Sequence, residues 1–191
     1  PLFWLGSEVH HSTLGIIGMG RIGSEVAKRA QAFDMKILYN SPARKPLIEA
    51  KFGARYTSLD TLLKQSDFVS IHCPLSKNTR DLIGAREFKL MKSTAILINT
   101  ARGPIVNSKQ LYLALKSRAI TYAALDVTDP EPLNADDPLL TLDNILITPH
   151  LGSATESTRK KMTMLAAHNL LRGIRGDTLI HCANPEALKK H

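Results

Sequence analysis

The feature that most constrains the fold is a glycine-rich turn placed between a strand-like run and a helix-like run. The turn Gly18-Met19-Gly20-Arg21-Ile22-Gly23 directly follows the apolar run Leu14–Ile17 and opens a helical stretch. This spacing in this position predicts a dinucleotide-binding turn. Gly18 permits the tight turn, Gly20 lets the backbone approach a pyrophosphate, and Gly23 allows close packing of the helix on the strand. A glycine turn without a ligand is the alternative.

Short apolar runs alternate with helix-like segments along the chain, which predicts an α/β fold with a doubly wound parallel sheet. Continuous apolar runs are typical of parallel strands that are covered on both faces. The predicted strands are Thr13–Gly18, Lys36–Tyr39, Ala54–Thr57, Phe68–His72, Ala95–Asn99, Ala119–Leu125 and Asn144–Ile147. The predicted helices are Arg21–Phe33, Leu59–Gln65, Ala85–Leu90, Asn107–Ser117 and a long one from residue 154 to about residue 172.

The last predicted helix has its own start and stop signals. Ser153 and Glu156 are spaced as a capping box, and Gly173 is a plausible stop. An apolar stripe at helical spacing predicts packing in a core or an interface, and its members are Met162, Leu165, Ala166 and Leu170.

Composition narrows the class of protein. A chain of 191 residues with 43% hydrophobic residues suits one globular domain with a sizeable core. No apolar run is long enough to predict a membrane span. Cys73 and Cys182 are the two cysteines and form no CxxC pair, so we expect a reducing compartment and no metal site. The net charge of +8 is scattered in short clusters, which favours a solvated surface that attracts anionic small molecules over nucleic-acid binding.

The loop after the second predicted strand favours NADP over NAD. In this type of fold an acidic residue there holds the ribose 2′-hydroxyl of NAD, whereas a basic residue accommodates the 2′-phosphate of NADP. Residues 40–45 read Asn-Ser-Pro-Ala-Arg-Lys, without a carboxylate. Asn40 and Ser41 supply uncharged donors for a phosphate, and Arg44 supplies a permanently charged one. A solvated loop is the alternative interpretation.

Three residues with complementary chemistry follow the ends of later strands. Arg102 follows the run Ala95–Asn99, Glu131 lies in the loop after the sixth strand, and His150 follows the seventh. We expect all three at the edge of the sheet that carries the glycine-rich turn. An Arg binds the carboxylate of a 2-oxo acid, a His protonates the carbonyl oxygen, and a Glu favours the protonated imidazole. Taken singly, each residue has a structural alternative. Arg102 is then a surface cation, Glu131 a turn residue and His150 a neighbour of a helix cap.

The sequence resembles the nucleotide-binding domain of the D-isomer-specific 2-hydroxyacid dehydrogenases. Within that family, residues 126–133 and 152–155 are most similar to glyoxylate/hydroxypyruvate reductases. The stretches that carry the resemblance are Leu14–Gly23, His72–Leu75, Leu97–Gly103, Leu125–Pro132 and Thr148–Thr155.

The resemblance implies a Rossmann-type fold and a set of roles for individual residues. The catalytic residues are then Arg102, Glu131 and His150, and Asp126 bonds the nicotinamide carboxamide. The further cofactor contacts are Arg21 and Ile22 at the pyrophosphate, Cys73 and Pro74 beside the cofactor, and Thr100 and Gly152 near the nicotinamide. The implied activity is reduction of glyoxylate or hydroxypyruvate with NADPH by a cytoplasmic homodimer. Pro42 stands where NADPH-preferring relatives often have the first of two arginines, which weakens the preference for NADP.

The family's substrate-binding domain has almost no counterpart in this sequence. We expect residues 1–11 to be a remnant of the hinge and first helix, residues 12–152 to form the NAD(P)-binding domain, and residues 153–191 to form a closing helix and tail. Because the family's active site lies between two domains, we expect the chain itself to bind cofactor with little turnover. A dinucleotide-sensing binding protein that resembles corepressors, and a catalytically silent paralogue, remain open as alternatives.

Overall fold

Seven parallel strands form one sheet in the order β3-β2-β1-β4-β5-β6-β7. The computed structural model describes residues 6–186. The chain begins in the middle of the sheet, moves outward to β3, and then returns to the other side of β1 to build β4 through β7. This arrangement confirms the predicted doubly wound parallel sheet. The strands are β1 Thr13–Ile17, β2 Lys36–Asn40, β3 Arg55–Tyr56, β4 Phe68–Ile71, β5 Ile96–Asn99, β6 Tyr122–Leu125 and β7 Ile145–Ile147.

Helices cover both faces of the sheet. In β1, Ile17 belongs to a core cluster that includes Leu62 of α3, whereas Ile16 belongs to a second cluster that includes Ala27 of α1. This alternation explains why the strand is apolar at successive positions. The α-helices are α1 Arg21–Ala30, α2 Pro46–Phe52, α3 Leu59–Gln65, α4 Ala85–Leu90, α5 Ser108–Lys116 and α6 Glu156–Ile174, and short 3-10 helices span Gln31–Phe33, Gly103–Ile105 and Pro138–Thr141.

The sequence analysis does not predict α2. This helix buries only Phe52, while Leu47 is 85% exposed, so it lacks the apolar stripe from which helices are predicted. Pro46 at its first turn and Gly53 at its C-cap, with a φ of 64°, mark its two ends. Both residues occupy positions that suit them, because proline lacks an N–H to satisfy and glycine adopts the left-handed conformation without strain.

The predicted limits of the last helix are wrong at both ends. The N-cap is Thr155, whose hydroxyl accepts a hydrogen bond from the backbone N–H of Thr158, so the predicted capping box at Ser153 does not form. At the other end the helix continues through Gly173 to Ile174, and Gly176 takes the left-handed conformation with a φ of 73°.

The described residues form two compact units, one that extends to Pro149 and one that begins at His150. The whole sheet belongs to the first unit, and α6 belongs to the second. The predicted apolar stripe of α6 is exposed on this chain, and its packing in a core or an interface stays a prediction. The predicted hinge remnant and tail lie partly outside the described residues, and residues 6–11 contain a turn at His10–His11. Among the described helices, none has the length and apolar character needed to cross a membrane.

Candidate cofactor-binding and catalytic site

An open cleft of about 590 Å³ lies at the carboxyl ends of β1, β2 and β4. It occupies the point where the strand order reverses, which is where open α/β sheets form their ligand crevice. The described residues that line it include no carboxylate. They are Ile17, Gly18, Met19, Gly20, Asn40, Ser41, Pro42, Ala43, Lys45, His72, Cys73, Pro74, Ser76, Asn78, Thr79 and Leu82.

Each glycine of the turn is required for a different physical reason. Gly18 has a φ of 98°, and a Cβ there would lie 2.5 Å from the backbone nitrogen of Cys73. A Cβ on Gly23 would lie 2.3 Å from the carbonyl oxygen of Gly18, so side-chain bulk is excluded where α1 meets the turn. By contrast, no atom lies within 4 Å of the Cβ position of Gly20. The space beside Gly20 therefore leaves its backbone accessible from the cleft, as a phosphate group requires.

The start of α1 is suited to an anion. Gly20 is its N-cap, and the first turn contains no acidic side chain. The first N–H groups of an α-helix have no acceptor within the helix, and they give this end partial positive charge. Arg21 and Ile22, the first two residues of the helix, are exposed, and Ile22 is exposed to 66%.

The end of β2 holds the glycine-rich turn in place. The backbone N–H of Gly18 donates to the carbonyl of Asn40 at 2.8 Å, and the N–H of Met19 donates to the Ser41 hydroxyl at 2.7 Å. Ser41 is buried, while the side-chain amide of Asn40 donates to the carbonyl of Thr57 at 2.9 Å. Both predicted cofactor residues therefore also have a structural role.

Arg44 is held on Glu49 and is not among the residues that line the cleft. The guanidinium donates two hydrogen bonds to the Glu49 carboxylate, at 3.2 and 2.5 Å. Glu49 also accepts from the hydroxyl of the buried Tyr39 at 2.6 Å, and that hydroxyl accepts from the backbone N–H of Lys45 at 2.7 Å. The hydrogen bonds from Arg44 and then Tyr39 lower the pKa of Glu49 to about 2. Among the described residues that line the cleft, Lys45 is the one with a cationic side chain.

The segment after β4 forms the opposite wall of the cleft. Burial lowers the pKa of His72 and raises the pKa of the half-buried Cys73 thiol. The Ser70 hydroxyl and Nε2 of His72 lie 2.8 Å apart. Cys73 and Pro74 both line the cleft, and their neutral character leaves it without negative charge on this side.

The loop that carries Arg102 is organised by the buried side chain of Asn99. The Asn99 amide donates to the carbonyl of Arg102 at 2.9 Å, and its oxygen accepts from the N–H of Ala101 at 3.0 Å. Arg102 itself is exposed at the end of β5, and its guanidinium donates to the carbonyl of Ala101 at 2.6 Å. Thr100 is also exposed in this loop.

The loops after β5 and β6 are in close contact. A Cβ on Gly103 would lie 1.9 Å from the carbonyl oxygen of Thr128, and the N–H of Asp126 donates to the carbonyl of Asn99 at 2.9 Å. The carboxylate of Asp126 accepts from the hydroxyl of Thr148 at 2.6 Å, which links the ends of β6 and β7. The structure thus brings the loop of Arg102 together with the loop that begins at Asp126. Glu131 lies further along the second loop and is exposed.

His150 is the first residue of the second unit. It is exposed and has a φ of 55°, in the left-handed region. Gly152 follows it in an exposed turn before α6.

Comparison with known proteins places these features in a family. Residues 2–152 match the sequence profile described as "D-isomer specific 2-hydroxyacid dehydrogenase, NAD binding domain". The chain belongs to this family. It is 49% identical over 187 residues to the glyoxylate/hydroxypyruvate reductase B of Cronobacter sakazakii, which covers 97% of the chain and 58% of that reductase.

Solved structures share the fold of this chain. The protein TT0316 from Thermus thermophilus superposes with a TM-score of 0.89 at 44% identity, over 95% of this chain and 56% of that one. D-lactate dehydrogenase with NAD+ from Lactobacillus jensenii superposes with a TM-score of 0.86 at 31% identity, over 96% of this chain and 58% of that one. The chain thus spans little more than half the length of the relatives it matches.

Sequence reasoning missed several residues that support the site of this dehydrogenase domain. Asn99 and Thr128 position the loops that follow β5 and β6, and Tyr39 and Glu49 fix the loop that follows β2. An asparagine at the end of an apolar strand is a signal that could have identified Asn99, since a buried amide must find partners. No comparable signal exists for Glu49, because its pairing with Arg44 depends on an unpredicted helix.

Proposed function

We propose that this domain binds NADPH and supplies the catalytic residues for reduction of a small 2-oxo acid of the glyoxylate or hydroxypyruvate type. The observation that carries the proposal is the open backbone at Gly20, in a cleft whose described lining contains no carboxylate. When bound, the reduced nicotinamide supplies the hydride. The remaining roles belong to residues of the chain.

The pyrophosphate is bound in this proposal by the first turn of α1. The N–H groups of Arg21 and Ile22 are oriented by the helix, and the partial positive charge of the helix end favours the two phosphates. The Arg21 side chain adds a full positive charge beside them. Support comes from the absence of acidic residues in that turn.

Recognition of the 2′-phosphate is assigned to Lys45 together with Asn40 and Ser41. Lys45 lines the cleft, whereas the Nε–Nη2 edge of the Arg44 guanidinium is bound to Glu49 and Arg44 does not line the cleft. We therefore assign Arg44 an indirect role. Its ion pair with Glu49 offsets the negative charge of that carboxylate, which would otherwise repel the 2′-phosphate. An ammonium group is an effective partner for a phosphate as a point charge.

The catalytic roles follow the chemistry of the three residues. Arg102 binds the substrate carboxylate and polarises the adjacent carbonyl. His150 donates a proton to the oxygen that becomes the alcohol, and Glu131 stabilises the protonated imidazole. The nicotinamide end of the cofactor is assigned to Asp126, Thr100 and Gly152. Cys73 and Pro74, which line the cleft, lie beside the cofactor in this proposal. The rigid support of the Arg102 loop by Asn99 is consistent with a residue that must be positioned closely.

A calorimetric titration of the 191-residue chain with NADPH and NADH tests the cofactor assignment. We expect tighter binding of NADPH, and Lys45→Ala is expected to remove the difference between the two cofactors. The matched control is Lys109→Ala, an exposed lysine on α5 that does not line the cleft. Equal affinity of the unmodified chain for both cofactors, or a preference for NADH, would contradict the proposal.

A chimeric reductase tests the chemistry. The chain replaces the matching 187 residues of the Cronobacter sakazakii enzyme, and NADPH oxidation is followed with glyoxylate and with hydroxypyruvate. Replacement of His150 by Gln is expected to lower kcat by about 10²–10⁴-fold, the usual contribution of a positioned proton donor. His168→Gln, at an exposed position of α6, is the control. A chimera that binds NADPH without turnover would favour the corepressor-like or silent alternatives.

The chain on its own is expected to bind cofactor with little turnover. Arg102, Glu131 and His150 are all exposed on this chain, so water is not excluded from them. Rapid NADPH oxidation by the 191 residues alone would contradict this expectation.

We also propose a homodimer, which the family resemblance implies and sedimentation velocity would test. A cytoplasmic location is supported by the unpaired thiols of Cys73 and Cys182, and cell fractionation would test it.

A further inference from the structure

A cluster of potential metal ligands lies at the edge of the sheet opposite the cofactor cleft. His11 and Asp34 each stand two residues before a strand, β1 and β2 respectively, and His10 adjoins them. One candidate ligand atom from each of the three residues lies within 4.8 Å of the other two. All three side chains are exposed, so an ion from solution has direct access.

Backbone hydrogen bonds fix the two segments that carry these residues. The N–H of His11 donates to the carbonyl of Phe33 at 3.1 Å, and the N–H of Lys36 donates to the carbonyl of Ser12 at 2.9 Å. His11 and Asp34 have φ values of 61° and 50°, so both side chains leave the backbone from the left-handed conformation. The cluster therefore joins two segments of the chain whose backbones are hydrogen-bonded to each other.

The His10 ring lies between the Phe33 carbonyl, the Asp34 carboxylate and the His11 ring. Nδ1 of His10 lies 3.0 Å from the carbonyl oxygen of Phe33. The same nitrogen lies 3.8 Å from Oδ2 of Asp34, and either nitrogen of an imidazole can serve as a metal ligand. The His11 ring stacks at a tilt against that of His10, with 3.7 Å between the ring centroids.

We propose that His10, His11 and Asp34 bind one divalent transition-metal ion of the Zn²⁺ or Ni²⁺ class. Two imidazole nitrogens and one carboxylate oxygen are ligands that such ions prefer, whereas Mg²⁺ and Ca²⁺ prefer sets made of oxygen alone. Water completes the coordination. Bonds of about 2.0–2.2 Å bring the ligand atoms closer together than 4.8 Å, and rotation of the exposed side chains provides that closure. The bound ion then ties the segment before β1 to the connection between α1 and β2.

This site was not expected from the sequence. The His10-His11 pair and Asp34 are far apart along the chain, and they meet only because β1 and β2 are adjacent and parallel. A sequence motif for metal binding usually contains all of its ligands at short spacing.

The test is a titration of the 191-residue chain with Zn²⁺ in competition with a chromogenic chelator. His11→Asn and Asp34→Asn are suitable variants, since Asn tolerates the left-handed backbone of both positions and preserves the fold. Each is expected to weaken the binding of one equivalent of Zn²⁺ by at least about tenfold, because even residues behind the ligands contribute that much. The double variant His168→Asn/His181→Asn, which alters two exposed histidines elsewhere, is expected to bind Zn²⁺ unchanged.

Equal Zn²⁺ affinity of the unmodified chain, His11→Asn and Asp34→Asn would overturn the proposal. So would loss of that equivalent in the His168→Asn/His181→Asn control. A second measurement locates the ion directly: substoichiometric Cu²⁺ is expected to broaden the amide NMR signals of residues 8–12 and 33–36. Broadening confined to other residues would place the metal elsewhere and refute the assignment.

Discussion

Replacement of Gly18 by alanine tests whether the glycine-rich turn is determined by sterics in the way the structure indicates. Two separate costs arise there. The φ of 98° is unfavourable for a residue with a side chain, and the new Cβ would lie 2.5 Å from the backbone nitrogen of Cys73. Since ordinary contacts begin at 3.4 Å, the ends of β1 and β4 would have to separate by 3.4 − 2.5, or about 0.9 Å.

The two costs give an expected magnitude. A left-handed conformation costs an L-residue about 1–2 kcal/mol, and overpacking typically costs about 1–3 kcal/mol. Gly18→Ala is therefore expected to lower the free energy of unfolding by about 2–5 kcal/mol, out of a typical total of about 5–15 kcal/mol. For a chain of this size that corresponds to a fall in Tm of about 4–20 °C.

Two other glycines separate the cost of the backbone conformation from the cost of the steric contact. Gly53 has a φ of 64° with no atom within 4 Å of its Cβ position, so Gly53→Ala carries only the backbone cost of about 1–2 kcal/mol. Gly20 has a φ of −87° and an open Cβ position, so Gly20→Ala is expected to cost less than about 1 kcal/mol while it obstructs cofactor binding.

Urea unfolding followed by circular dichroism measures all three variants, with similar m-values as the check that the unfolding transition is unchanged. If Gly18→Ala proves no less stable than Gly53→Ala, the contact between the turn and the segment after β4 does not constrain the site, and the reasoning fails.

Three further predictions concern the loops and charges of the cleft. Asn99→Ala removes the hydrogen bonds of the Asn99 amide to the carbonyl of Arg102 and the N–H of Ala101. The free energy of unfolding in urea is therefore expected to fall by about 1–3 kcal/mol. An unchanged unfolding midpoint would contradict this role of Asn99. The pKa of Glu49 is depressed from 4.5 to about 2, so its ionised form contributes stability that is present above pH 4.5 and is lost as the pH falls toward 2. The difference in Tm between the unmodified chain and Glu49→Gln should therefore shrink over that range, and a constant difference would show that the pair with Arg44 does not act. Added NaCl should weaken NADPH binding more than NADH binding in calorimetry, because the 2′-phosphate adds charge; parallel weakening would argue against a cationic contact.

The elements with a continuous apolar pattern could be predicted from the sequence. The helices Leu59–Gln65 and Ala85–Leu90 have the predicted bounds, and every predicted strand has a counterpart in the sheet. The family and the doubly wound fold are likewise confirmed. Helix α2 was missed because one buried side chain, Phe52, gives no periodic signal.

The site was only partly accessible for a physical reason. The spacing of glycines and the positions of strand ends can be read from the sequence, so the location of the cleft could be predicted. The direction of a long side chain depends on competing partners, and Arg44 shows this, since Glu49 holds it outside the cleft lining. The roles assigned to Arg102, Glu131 and His150 stay predictions until the variants are measured.

The pairing of β1 with β4 has a consequence for the order in which this domain is assembled. Leu14 pairs with Phe68, so β1 acquires its second neighbour only after more than fifty further residues have been made. Gly18 packs on the backbone of Cys73, so the cleft remains unfinished in the nascent chain until that point. Long-range parallel pairing of this kind is slow to form. A dinucleotide would accordingly stabilise only those chains in which β1 and β4 have already paired.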